Sequence, residues 1–224
     1  MFVFNMAGTT VNDKGIVYDT IYDTLKMLKY DVYKDDMWSW HGKSKNDVLI
    51  NYVNKKYNIS NTYQKSYQKN NDILKQELVW TFKRNLKNNY FNQKNICIMH
   101  DCMPDLFNII RERGVKIGIT SGYDKEIQQA IIGTLKMDTF IDDYVSCDDV
   151  INGKPYPDMI RLLMKRNEIT NPNEVIKFGD TKNDILEGIN AKCYLSVGVL
   201  SGAGDENELS RADYILNSVM DIRL

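Results

Sequence analysis

Short apolar runs separated by helical patterns recur along this chain of 224 residues. The apolar runs predict strands at residues 2–4, 115–119, 175–178, 194–199 and 214–216. Helical patterns lie between the later strands, at residues 124–135, 158–166 and 184–191. Strands that alternate with helices are typical of parallel sheets, so the pattern predicts an α/β fold with a Rossmann-like, doubly wound core.

The segment between the first two strands is long and almost free of helix-breaking residues. Residues 16–98 contain no proline and a single glycine, Gly42. We therefore predict an α-helical cap domain at residues 16–98, inserted after the first strand, and a core domain of residues 1–15 plus 99–224. Such an insert can lie over the carboxyl edge of the sheet, where open α/β folds bind ligands.

Composition narrows the possible partners. Hydrophobic residues make up 43% of the chain, which predicts a globular core, and the net charge of −1 favours neither nucleic acid nor a membrane surface as a partner. The four cysteines lack metal-ligand spacing, which favours a reducing compartment. Because we find neither a signal-peptide pattern nor an apolar run of ~18 residues, we expect a cytoplasmic protein without a membrane span.

Four polar motifs stand beside the predicted strands and loops. They are "FNMAGTT" at residues 4–10, "GITSGYD" at 118–124, "INGKPYPD" at 151–158 and "FGDTKND" at 178–184. Because ligands of open α/β sheets bind at the carboxyl ends of the strands, we expect the four motifs to meet there.

The residue types in these motifs are suited to binding a phosphoryl group. Thr120 can donate its hydroxyl, with neighbouring backbone N–H groups, to a phosphoryl oxygen. Lys154 supplies positive charge. Asp180 and Asp184 can hold a hard cation such as Mg²⁺ through their carboxylates. The predicted phosphate-binding set is Gly8, Thr9, Thr120, Ser121, Gly122 and Lys154.

In order and spacing, these motifs resemble those of the haloacid dehalogenase (HAD) superfamily. The stretches "AGTTV", "TSGYDKE", "GKPYPD", "GDTKNDILEGINA" and "VGVLSGAG" are similar to the phosphonoacetaldehyde hydrolase branch and its phosphonatase-like relatives. The resemblance implies a covalent aspartyl-phosphate formed by an aspartate at the position of Asn5, with Thr120 and Lys154 assisting. It also implies Mg²⁺ bound by residue 5, the backbone carbonyl of Ala7, Asp180 and Asp184.

The resemblance also implies a role for a cap lysine. Phosphonatases carry a G-x-x-K motif whose lysine forms a Schiff base with the substrate aldehyde. Gly42 begins that motif here and Lys45 ends it. The chain departs from phosphonatases at Val48, where they have a histidine. It also has Ala7 where superfamily phosphomonoesterases usually have a second aspartate, and alanine cannot protonate a leaving group.

Asn5 is the departure with the largest chemical consequence. An amide oxygen is neutral and a weak nucleophile, and loss of a nucleophile costs on the order of 10⁶-fold in rate. Either the chain is an engineered Asp→Asn trap of an enzyme, or it is a natural pseudoenzyme. We favour the trap because the other motif residues are retained. Both alternatives predict little turnover.

These observations predict a Mg²⁺-dependent phosphonatase-like hydrolase, acting on a small phosphorylated or phosphonate substrate and impaired by Asn5. One alternative is a small-molecule phosphomonoesterase of the same superfamily. The other is a non-catalytic module that binds a phospholigand or a protein. Because phosphonatase relatives often pair through their caps, the resemblance also suggests a homodimer.

Overall fold

A computed structural model of the chain describes residues 1–41, 43–56 and 65–223. Its strands are β1 (Phe2–Asn5), β2 (Val11–Asn12), β3 (Cys97–Ile98), β4 (Ile117–Ser121), β5 (Asp143–Ser146), β6 (Ile176–Gly179), β7 (Leu195–Val199) and β8 (Tyr214–Leu216). Its α-helices are α1 (Ile16–Met27), α2 (Lys45–Lys56), α3 (Lys65–Lys87), α4 (Met103–Glu112), α5 (Lys125–Thr134), α6 (Asp158–Arg166) and α7 (Lys182–Ala191).

Six strands form a parallel sheet in the order β5-β4-β1-β6-β7-β8. Both faces of β1 are buried, which explains its uninterrupted apolar sequence. On one face, the ring of Phe4 stacks between Phe107 of α4, at 4.6 Å, and Phe178 of β6, at 4.7 Å. On the other face, Val3 lies in a second hydrophobic cluster with Leu163 of α6. The predicted α/β parallel core is confirmed.

The segment predicted to be a helical cap contains α1, α2 and α3. It begins after β2 and returns through β3, and these two short strands pair in an antiparallel manner, so that the two connections lie side by side. One hydrophobic cluster includes Leu25 of α1 together with Phe107 of the sheet region. The division into a core domain and a separate cap at residues 16–98 therefore stays a prediction.

The apolar pattern did not predict two elements of the sheet region, β5 and α4. Strand β5 has the sequence DYVS, which is too short and too polar to show a strand pattern. Its start is stabilised by Asp142, whose carboxylate accepts a hydrogen bond from the backbone N–H of Ile117 at 2.7 Å and pairs with Arg111 at 3.3 Å. Within the described residues, no helix is long and apolar enough to cross a membrane.

Candidate active site

The polar motifs meet at the carboxyl edge of the sheet, beneath the start of α2. Asn5 ends β1, Ser121 ends β4 and Asp180 directly follows β6. The strand register places Asn5 opposite Thr120. A cavity of about 30 Å³ lies between these strand ends and helices α1 and α2. Its lining consists of Asn5, Ala7, Tyr18, Lys45, Ser121, Gly122, Tyr123, Lys154, Asp180 and Thr181.

Every polar atom of the Asn5 side chain has a partner. The amide oxygen accepts a hydrogen bond from the ammonium of Lys154 at 2.7 Å. The amide nitrogen donates to the backbone carbonyl of Ala7 at 2.9 Å and to Oδ1 of Asp180 at 2.7 Å. Because a lysine can only donate and a carbonyl can only accept, these partners determine which amide atom is the nitrogen.

Asp180 is buried in a shell of donors and glycines. Its Oδ1 also accepts from the Thr9 hydroxyl at 2.9 Å, and its Oδ2 accepts from the backbone N–H of Ala203 at 3.0 Å. Burial raises the pKa of Asp180 to about 6, and the nearby Asp184 charge acts in the same direction. A Cβ on Gly202 would lie 2.1 Å from Oδ2 of Asp180, so this position requires a residue without a side chain.

Asp184 holds Lys154 in place. One Asp184 oxygen lies 2.6 Å from the Lys154 ammonium, and both side chains are almost completely buried. The other oxygen accepts from the hydroxyl of Thr181 at 2.6 Å, in the capping box that begins α7. Burial disfavours the charged form of Asp184, but Lys154 and Lys177 outweigh it and lower its pKa.

The expectation that Asp184 is a direct metal ligand stays a prediction. Both of its oxygens contact protein donors, because Asp184 occupies the first turn of a helix and is directed towards two lysines.

The Thr120 hydroxyl is bonded to two buried side chains and does not line the cavity, so its role in phosphate binding stays a prediction. It accepts a hydrogen bond from Lys177 at 2.6 Å and donates to Glu187 at 3.2 Å, beneath the site. Successive side chains of a strand point to opposite faces, so the next residue, Ser121, lines the cavity instead. Gly122 and Lys154 also line the cavity, as expected.

The assignment of Gly8 and Thr9 to phosphate binding stays a prediction. Their backbone N–H groups donate to the carbonyls of Val11 and Met6, at 2.8 and 3.2 Å, and so close a turn. The Thr9 hydroxyl is bound to Asp180. These two residues therefore support Asp180 and do not line the 30 Å³ cavity.

Lys45 reaches the cavity from the start of α2. It is the first residue of α2, is only 8% exposed, and its ammonium lies 4.8 Å from the centre of the Tyr18 ring. Burial lowers the pKa of Lys45 to about 8. Val48, at the position of the phosphonatase histidine, is buried in the hydrophobic cluster. Gly42, which begins the motif, lies outside the described residues.

Sequence reasoning missed a buried hydroxyl–carboxylate network beside the cavity. The Tyr90 hydroxyl donates to Asp13 at 2.8 Å and lies 2.6 Å from the Tyr123 hydroxyl, which is itself 3.3 Å from the same carboxylate. Burial raises the pKa of both tyrosines well above the ordinary value. The three residues are 33 to 110 positions apart, so no local motif indicated their contact.

A second cavity of about 500 Å³ adjoins the small one and shares Ala7, Tyr18 and Asp180 with it. Its remaining lining includes Lys34 and His41 from the cap. At about 30 Å³, the small cavity is far below the roughly 300–1,000 Å³ of ligand pockets. The larger cavity therefore supplies the volume that a small ligand needs next to the strand ends.

The oxygens expected to bind Mg²⁺ are only partly suited to it in this chain. The Ala7 carbonyl and the Asp180 carboxylate are the hard donors that Mg²⁺ prefers. Both, however, face the N–H groups of Asn5, and Asp184 is bound to lysines. Within the described residues, no group of three or more His, Cys, Asp or Glu side chains is arranged to hold a metal. The site as it stands does not fit the ion that the resemblance implies.

A parallel sheet whose carboxyl edge gathers Lys154, Asp180 and Lys45 of α2 around one cavity defines an α/β protein with a ligand site at the ends of its strands. The haloacid dehalogenase-like hydrolase family matches residues 2–197, and the chain belongs to this family.

Curated proteins similar to this chain include phosphonoacetaldehyde hydrolases. The chain is 34% identical to the phosphonoacetaldehyde hydrolase of Bacillus cereus over 125 residues, which cover 55% of this chain and 46% of that protein. It is 36% identical to the protein of the same name from Parabacteroides distasonis over 107 residues, which cover 47% and 40% of the two chains. The chain thus spans about half the length of the curated relatives it matches.

Solved structures share the fold across nearly the whole chain. A hydrolase from Pseudomonas syringae has a TM-score of 0.76 at 20% identity and covers 98% of this chain and 94% of its own. A phosphonoacetaldehyde hydrolase-like protein from Oleispira antarctica has a TM-score of 0.74 at 18% identity, with coverage of 98% and 88%. These similarities confirm the sequence-based assignment to the superfamily and to the neighbourhood of its phosphonatase branch.

Proposed function

We propose that the site belongs to a phosphonatase-like hydrolase whose covalent step is stopped at Asn5. The observation that carries this proposal is the convergence of Lys154 from the core and Lys45 from the cap on one cavity beside Asn5. Two buried lysines can neutralise the charge of a phosphoryl or phosphonyl group that enters between them. A small phosphorylated or phosphonate molecule is therefore the proposed ligand.

Asn5 explains why little turnover is expected. With an aspartate at residue 5, a carboxylate oxygen would attack phosphorus while the bond to the leaving group breaks, and water would then hydrolyse the aspartyl-phosphate. The Asn5 amide oxygen carries no full charge and already accepts a hydrogen bond from Lys154. We expect the loss to be about 10⁶-fold in rate, or roughly 8 kcal/mol.

Lys45 is the residue that favours a phosphonate carrying an aldehyde. Its amine can add to the aldehyde carbon and, with loss of water, form a C=N bond. When the carbon–phosphorus bond breaks, its electron pair passes into that imine and forms an enamine. Ala7 supplies no proton for an alkoxide, so a phosphomonoester would need an acid from elsewhere.

A non-catalytic role in phospholigand binding is the second candidate. It is favoured by the complete pairing of the Asn5 amide, which leaves the site ordered without a nucleophile. The homodimer and the cytoplasmic location expected from the sequence stay predictions.

The Asn5→Asp variant separates these two functions. We expect it to release inorganic phosphate from phosphonoacetaldehyde in the presence of Mg²⁺, whereas the unmodified chain and the variant Asn5→Asp with Asp180→Asn release almost none. Circular dichroism must show that all three proteins are folded. If a folded Asn5→Asp variant hydrolyses neither phosphonates nor phosphomonoesters across a broad panel, the hydrolase proposal is wrong and the binding function is preferred.

A further inference from the structure

Two oxygens of the site converge on one nitrogen. The backbone carbonyl of Ala7 and Oδ1 of Asp180 both accept from Nδ2 of Asn5, at 2.9 and 2.7 Å. These are the oxygens that the family resemblance assigns to a divalent cation. In this chain, the positively polarised NH₂ group of Asn5 donates a hydrogen bond to each of these two oxygens. The site is buried, where an acceptor without a hydrogen bond would be costly.

The side-chain amide of Asn5 cannot rotate so that its oxygen faces a cation without losing its hydrogen bond from Lys154. Lys154 donates to the Asn5 oxygen at 2.7 Å. If the amide rotated by half a turn, its NH₂ group would face the Lys154 ammonium, and two donors would be opposed. Lys154 cannot move away freely, since Asp184 holds it at 2.6 Å. An aspartate has two equivalent oxygens and can serve the lysine and a cation together, whereas the amide has only one oxygen.

The charges around the cavity are consistent with this replacement. Lys45, Lys154 and Lys177 provide three positive charges when protonated, and Asp13, Asp180, Asp184 and Glu187 provide four negative charges when ionised. With Asn5 neutral, this cluster has a single excess negative charge. An aspartate at residue 5 would add a negative charge, which a divalent cation would offset.

We propose that the amide of Asn5 replaces the divalent cation, so that this chain binds an oxyanion ligand without a metal and binds divalent cations poorly. The inference rests on the proposed function, because it concerns the ligand chemistry of the same site. It does not depend on hydrolysis, since it is a statement about equilibrium binding by the unmodified chain.

The first test measures Mn²⁺ binding by the loss of the free-ion signal in electron paramagnetic resonance. The proteins are the unmodified chain, Asn5→Asp and Asn5→Ala. We expect Asn5→Asp to bind Mn²⁺ about 100-fold more tightly than the unmodified chain, because an anionic ligand is restored. The Asn5→Ala variant tests whether the amide itself excludes the cation. If the amide excludes the cation, its removal frees the Ala7 and Asp180 oxygens, and Asn5→Ala binds Mn²⁺ more tightly than the unmodified chain.

The second test measures the binding of inorganic phosphate to the unmodified chain by calorimetry, in EDTA and in excess Mg²⁺. We expect the same affinity in both. Mn²⁺ binding by the unmodified chain as tight as that of Asn5→Asp, weaker binding by Asn5→Ala, or phosphate binding that is absent in EDTA would each overturn the inference. Failure of Asn5→Asp to hydrolyse any substrate would instead overturn the proposed hydrolase and leave these binding results unaffected.

Discussion

The ammonium of Lys154 donates a hydrogen bond to the amide oxygen of Asn5 at 2.7 Å, although the two residues are 149 positions apart. This contact determines which way the amide faces, and hence that its nitrogen is directed to Ala7 and Asp180. The orientation of the side chain at the nucleophile position thus depends on a lysine that is distant in the sequence.

Lys45 is expected to form a reducible adduct with an aldehyde substrate. Incubation of the unmodified chain with phosphonoacetaldehyde and borohydride should add one substrate-derived mass, detected by intact-protein mass spectrometry. Burial lowers the pKa of Lys45 to about 8, so the reactive neutral amine becomes more abundant as the pH rises through 8. The initial labelling rate should therefore rise with pH and level off above that value.

The matched control for this experiment is Lys43, an exposed lysine two residues earlier on the cap. The Lys43→Gln variant should label like the unmodified chain, whereas Lys45→Gln should lose the adduct. Persistent labelling of Lys45→Gln at the same rate would mean that the Schiff-base role belongs elsewhere.

Gly202→Ala is expected to disrupt the surroundings of Asp180. The added Cβ would lie 2.1 Å from the Asp180 carboxylate, so the carboxylate or the loop must move. We expect a loss of about 1–3 kcal/mol in the free energy of unfolding, the usual cost of overpacking, together with weaker phosphate binding. Urea denaturation and calorimetry measure the two effects.

Gly133→Ala provides the comparison, because a Cβ at that helical position meets nothing within 4 Å. Alanine there should stabilise the protein by about 0.4–1 kcal/mol and leave phosphate binding unchanged. Equal effects of the two substitutions would show that close packing around Asp180 is not important.

Lys177 is predicted to be the main counter-charge beneath the site. Its ammonium lies 2.9 Å from Glu187 and 3.5 Å from Asp184, and all three side chains are completely buried. Lys177→Met leaves Glu187 without its only described ion-pair partner and should lower the free energy of unfolding by about 3–5 kcal/mol.

Adding Glu187→Leu to Lys177→Met should recover part of that loss, because the stranded charge is removed. A double-mutant cycle in urea measures the coupling between the two positions. Strictly additive effects would contradict a direct ion pair.

Ser121 and Thr120 are adjacent but should respond differently to removal of their hydroxyls. Ser121 lines the cavity, so Ser121→Ala should weaken phosphate binding by about tenfold, the effect of one hydrogen bond to a charged group. Thr120→Val should instead cost about 1–3 kcal/mol in stability, because Lys177 and Glu187 lose a hydrogen-bonding partner. The reverse pattern would restore the sequence-based assignment of Thr120 to phosphate binding.

The contacts of the site residues were not predictable from the sequence, for one common reason. The sequence indicates the motif that contains Thr120 and Ser121, but the choice between two adjacent hydroxyls depends on which face of β4 each side chain occupies. Asp184 was recognised as part of a motif, yet its partners, Lys154 and Lys177, come from other segments of the chain. Strand β5 was missed because four residues with two apolar side chains carry too little periodicity.

The sequence by itself determined the alternation of strands and helices, the helical character of the segment after β2, and the family. These properties follow from local periodicity, from the scarcity of proline and glycine, and from the spacing of the motifs. Only the tertiary structure decided that Lys45 reaches the cavity, that the Thr120 hydroxyl is directed towards Lys177, and that the Asn5 nitrogen joins Ala7 to Asp180. The physical reason is that hydrogen-bond direction depends on partners brought together by folding, and in the sequence Asn5 is 149 residues from Lys154 and 175 from Asp180.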